Sequence, residues 1–131
     1  PFMTDENNNA SESQTYTTQL GVYTKIGNRV FVSGTLTMNS LGSLDTTCVP
    51  RIQGLPFNTI GCASNETSIY LGYATSLSIT AGNYVSGYTV LGGSYFSMQK
   101  WSVTGGTSNL TIAEWSDGGG IQFALNYKTA S

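Results

Sequence analysis

The chain has 131 residues, enough for one domain. Only 9% are charged, the net charge is −2 and histidine is absent, which excludes Ser-His-Asp and Cys-His catalysis within one chain and a His-ligated zinc. The five cations are scattered, which argues against nucleic acid and anionic lipid as partners, and no apolar run reaches the roughly 20 residues of a membrane span.

The first segment, 1–14, is polar and has no periodicity, and is read as a linker or disordered arm. The chain opens on Pro1 rather than Met, as expected for a fragment or a processed product. From Thr15 the pattern becomes strand, turn, strand. The stretch "GVYTKIGNRVFVSGTLTM", 21–38, alternates almost without a break. Val30, Val32, Gly34, Leu36 and Met38 share one side, with Arg29, Phe31, Ser33, Thr35 and Thr37 on the other. Gly27-Asn28 supplies the positive-φ residues of a two-residue hairpin.

Pro50 marks "CVPRIQ" as an edge strand or a strand start. "GLPFNTIG" is a loop carrying an apolar plug, Leu55 and Phe57, with Phe57 expected to insert into the core. "SIYLGYA" places Ile69, Leu71 and Tyr73 on one face, and "YFSMQKWSV" places Tyr95, Ser97, Gln99, Trp101 and Val103 together. "NLTIAEW" is a short strand and "SDGGG" a flexible turn. The last strand has Ile121, Phe123, Leu125 and Tyr127 on one face and Gln122, Ala124, Asn126 and Lys128 on the other. Short strands at this spacing, without a helix-period segment, predict an all-β chain: an antiparallel β-sandwich, jelly-roll-like, over 15–131.

Little chemistry is available to such a chain. Glu114 and Asp117 are the one plausible acid pair for glycoside hydrolysis, but carboxylates beside a turn are usually solvated turn residues. Asp45 and Glu66 lie in loops under the same reading. Cys48 and Cys62 lack metal spacing, and whether they pair is left open. The sequons at Asn9, Asn65 and Asn109 are what chance provides in so Asn-, Ser- and Thr-rich a chain. No catalytic residue, metal site or cofactor is expected.

Binding is the better-supported use. Aromatic rings stack on the C–H faces of sugars while amides and hydroxyls bind their OH groups. Trp115, with Ser116 and Asp117 beside it, is the first candidate for such a contact. Trp101, Tyr84 and Tyr88 follow, because alternation can equally bury them in a core or an interface.

The run "YTKIGNRVFVSGTLT" at 23–37, "IQGLPF" at 52–57 and "GIQFALNYKT" at 120–129 together carry a likeness. In order and spacing they resemble the C-terminal domain of tailed-bacteriophage tail fibres and tailspikes. Tyr23, Ile26, Gly27, Val30, Gly54, Leu55, Pro56, Phe57, Tyr127 and Thr129 occupy the matching positions. The middle, 60–119, matches no such pattern and is where target recognition is expected to vary.

The resemblance implies a parallel homotrimer at the distal tip of a virion fibre. It implies trimerisation, binding of a host surface glycan, and an upstream fibre or enzymatic domain that does any cleaving. The matched residues are structural in the family and mark no binding site. The competing reading is a monomeric accessory carbohydrate-binding module of a polysaccharide-degrading enzyme.

Overall fold

A computed structural model describes residues 1–7, 12–61 and 65–130, with the backbone alone for 65 and 66. The strands are β1 (Phe2–Thr4), β2 (Thr15–Ile26), β3 (Arg29–Ser40), β4 (Arg51–Gln53), β5 (Asn65–Ser68), β6 (Tyr70–Leu77), β7 (Tyr84–Val90), β8 (Tyr95–Ser102), β9 (Gly106–Asn109) and β10 (Trp115–Lys128). They form two antiparallel sheets packed as a β-sandwich. One runs β2-β3-β10-β6; the other runs β1-β4-β8-β7-β5, with β9 also paired to β8.

The core lies where the alternating patterns of the two sheets meet. Val30, Leu36 and Met38 of β3 and Ile121 and Tyr127 of β10 are buried against Ile52, Phe96 and Met98 of the opposite sheet. Phe123 meets Phe96 across the gap at 5.0 Å, edge to face. Gly34 interrupts the apolar run for a reason: a Cβ there would lie 2.6 Å from the Phe123 ring. The β2–β3 hairpin turns at Gly27-Asn28 as expected, except that among the two only Gly27 takes a positive φ, +59°. That fits a turn with glycine at its first central position.

Four expectations need correction. Residues 2–5 are no free arm: β1 pairs with β4, and Met3, Thr4 and Asp5 are buried. Met3 is held at both backbone groups, its N–H donating to the Tyr16 hydroxyl (2.9 Å) and its C=O accepting from the Gln14 amide (2.9 Å). Local polarity hid a strand whose partner is distant in sequence.

Ile69, Leu71 and Tyr73 do not share a face. A register shift opposite Gln122 and Phe123 leaves Gly72 unpaired, so Leu71 faces the core while Tyr73 faces out. Phe57 is only half-buried, edge-on to Tyr23 at 5.7 Å and beneath the Lys25 ammonium. Leu55 is buried in the core, Phe57 packs against its edge, and the Phe57 backbone is held at both polar groups by the buried Tyr127 hydroxyl.

Finally, "SDGGG" is not a turn but the bulged first half of β10, and "NLTIAEW" divides between β9 and a 3₁₀ turn, Ile112–Glu114. Asn9 and Cys62, and the side chains of Asn65 and Glu66, lie outside the described residues; Cys48 is half-buried.

Candidate functional site

Of the six aromatic and polar residues singled out for sugar contact, the structure separates three from three. Trp115 is 2% exposed. Its indole N–H donates to the Gly119 carbonyl at 3.0 Å. A glycine within the bulge admits this ring: a Cβ on Gly119 would lie 2.7 Å from Trp115 Cδ1.

The neighbours of Trp115 are engaged too. The Ser116 hydroxyl donates to the Ser76 carbonyl, and Asp117 accepts the Leu41 N–H at 2.8 Å. Trp115 is therefore a core residue with no ring face open to a sugar, while Ser116 and the exposed Asp117 tie β10 to β6 and to the loop after β3.

Glu114 is likewise a structural group. It accepts from the Lys100 ammonium and from the Thr111 N–H at 3.0 Å, closing the 3₁₀ turn. Burial works against its ionisation, but the bonds from Lys100 and Thr111 outweigh this and hold the carboxyl below its ordinary value. Asp45 bonds the Thr47 backbone and hydroxyl in a local turn. Among the described residues no three His, Cys, Asp or Glu side chains come together as metal ligands.

Trp101, Tyr84 and Tyr88 are brought together on the outer face of the second sheet. The β7–β8 register pairs Tyr84 with Trp101, Ser86 with Gln99, and Tyr88 with Ser97; β9 adds Thr107 opposite Trp101 and Asn109 opposite Gln99. Paired residues share a face, so these side chains point outward together. Trp101 is 51% and Tyr84 69% exposed. A shallow groove of about 250 Å³ runs beside them, lined by Ser68, Ser86, Tyr88, Gln99, Trp101 and Thr107 among others.

The outer face of the first sheet has another character. Pairing with β3 turns Leu20, Val22 and Ile26 of β2 outward beside Phe31, and β6 adds Tyr70 and Tyr73. Leu20 is 66% and Val22 69% exposed. A groove of about 330 Å³ crosses all four strands between Val22, Phe31, Ala124, Asn126 and Tyr70. The charges on this face, Arg29 and Lys128, are both positive and stand opposite each other in register at the strand ends. The neutral face of β10, Gln122, Ala124 and Asn126, was legible in the sequence. The aliphatic row on β2 was missed; its signal was Leu20, Val22 and Ile26 alternating in step with the outward residues of β3.

No family model matches the chain, and no curated protein matches it. Among solved structures, the Dettilon tailspike protein superposes with a TM-score of 0.74 at 16% sequence identity. The match covers 97% of this chain and 22% of that one, so the chain spans less than a quarter of the tailspike's length. At this identity the likeness establishes the fold and assigns no residue a role.

Proposed function

We propose that this chain is a tail-associated domain of a phage tailspike or tail fibre. In this reading it sits at the fibre tip of the virion, joins three copies in parallel, and binds a host surface glycan. Any enzymatic centre belongs to an upstream domain. The fold shared with a tailspike makes the reading available, and the exposed aliphatic row of β2 carries it. Isolated surface apolar residues are ordinary, but Leu20, Val22 and Ile26 in one outward row, on the face that also carries Phe31, Tyr70 and Tyr73, are a concentration of exposed apolar side chains. Such a concentration calls for a partner, and three copies turning this face to a common axis would cover it.

Covering the three aliphatic side chains contributes about 1–2 kcal/mol each per copy, which is of the order needed to offset the lost freedom of association. The low charge of the face suits a second copy, since like faces meet without repulsion except at the Arg29–Lys128 rim. Avidity then lets three weak glycan sites act as one strong one, by roughly 10²–10⁴ when geometry allows.

The same reading holds that the domain does not itself hydrolyse glycan. Glu114 and Asp117 are both held in structural hydrogen bonds. Incubation with host polysaccharide is expected to leave chain length unchanged; cleavage abolished by Glu114→Gln would reverse this. Multi-angle light scattering tests the assembly: three chain masses are expected. A stable monomer at micromolar concentration would favour a monomeric accessory carbohydrate-binding module instead.

A further inference from the structure

We infer that the groove beside Trp101 takes an uncharged oligosaccharide laid across β7, β8 and β9. This rests on the glycan-binding reading above and adds the place and the ligand class. Trp101 and Tyr84 are direct cross-strand partners on the outer face, which sets their Cβ atoms about 4.5–5.5 Å apart. Both are more than half exposed, which leaves ring surface open to solvent. A large ring left in water on a regular strand is a ready platform for the apolar face of a pyranose.

Around the platform stand groups suited to hydroxyls. Gln99 and Ser86 form the next cross-strand pair, and Thr107 and Asn109 flank them on β9. Amides and hydroxyls each donate and accept, as sugar OH groups do, so neither partner is left with an unmatched lone pair or proton. Tyr84 and Tyr88 lie on the same face four residues apart, about 13 Å along the strand. The site is therefore longer than one sugar ring.

The charge argument selects the ligand class. Among the described side chains that line this groove, none is charged. Lys100, on the same strand, turns to the opposite side and pairs with Glu114. Arg51, opposite Ser97 in the row of Tyr88, is engaged by the Tyr95 ring and the Glu6 carbonyl. A uronic or sialic carboxylate in the groove would shed water and gain no cation, a cost that an uncharged chain avoids.

The test uses the full chain, with neutral hexose oligosaccharides and their uronic-acid counterparts as probes on one array, and acrylamide quenching of tryptophan in solution. Trp115 is buried, so quenching reports Trp101. Neutral oligomers are expected to bind and to shield Trp101 from quencher. Trp101→Ala and Tyr84→Ala are each expected to weaken binding roughly tenfold or more, which is about 1.4 kcal/mol, with solution mass unchanged. Glycan binding by the wild type that survives in both variants would overturn the site and leave the glycan reading intact. Binding of the acidic probes alone would overturn the ligand class. A wild type that binds no glycan on a broad array would overturn both. Variants that dissociate would make this face an interface and overturn the proposal.

Discussion

Both outer faces of this sandwich are written in the same period-two alternation, and their contents diverge. The β2 edge of the four-stranded face carries Leu20, Val22 and Ile26 near Phe31, side chains that exclude water and form no hydrogen bonds. The face around β8 carries Trp101 and Tyr84 among Gln99, Ser86, Thr107 and Asn109, where each ring has hydrogen-bonding neighbours. An aliphatic face suits a surface that is permanently covered. A ring set among amides suits one that must stay hydrated until a polar ligand arrives. The difference teaches that exposure alone does not identify a binding site; what stands beside the exposed side chain does.

The comparison breaks most visibly at β2. A charge at its centre, Val22→Asp, is expected to convert the assembly to monomers by light scattering while the monomer keeps its fold by circular dichroism, because Val22 is 69% exposed within one chain. Unchanged mass would remove this face from the interface. The two tryptophans give the next largest contrast. Trp115→Ala is expected to cost about 3–5 kcal/mol in denaturant unfolding, as for a buried aromatic, and Trp101→Ala within about 0.5 kcal/mol of wild type. Equal costs would mean that Trp101 is covered in solution. Gly119→Ala, which sets a methyl against the Trp115 indole, is expected to cost about 1–3 kcal/mol by overpacking.

The smallest effect is on pH. The Glu114 carboxyl is held below its ordinary value, so its bonds to Lys100 and Thr111 contribute stability above that value. The contribution is lost as pH falls through the lowered one. The melting temperature is expected to decline on acidification, and less steeply in Glu114→Gln. Identical slopes would show that the pair adds nothing to stability, as is common for partly exposed ion pairs.

The core was legible where a strand spells out its own pattern. Val30 to Met38 and Ile121 to Tyr127 alternate because each strand buries one face, and Gly27 announces the hairpin between β2 and β3. What escaped reading depends on distant partners. β1 is three residues long and is a strand only because Arg51–Gln53 lies beside it. The outward turn of Tyr73 is set by a register shift against β10, which no local alternation records. Trp101 and Trp115 look alike in sequence, each on a strand among polar residues. Their fates differ because Gly119 leaves room for one ring to fold back against its own strand.

The division of labour between the faces can be read in one experiment, hydroxyl-radical footprinting of the wild-type chain at a concentration where it is assembled, followed by mass spectrometry of each residue. Leu20, Val22, Ile26, Tyr70 and Tyr73, all exposed within a single chain, are expected to be protected, while Trp101 and Tyr84 are heavily oxidised. Oxidation of the β2 row as extensive as its exposure in one chain would contradict the account.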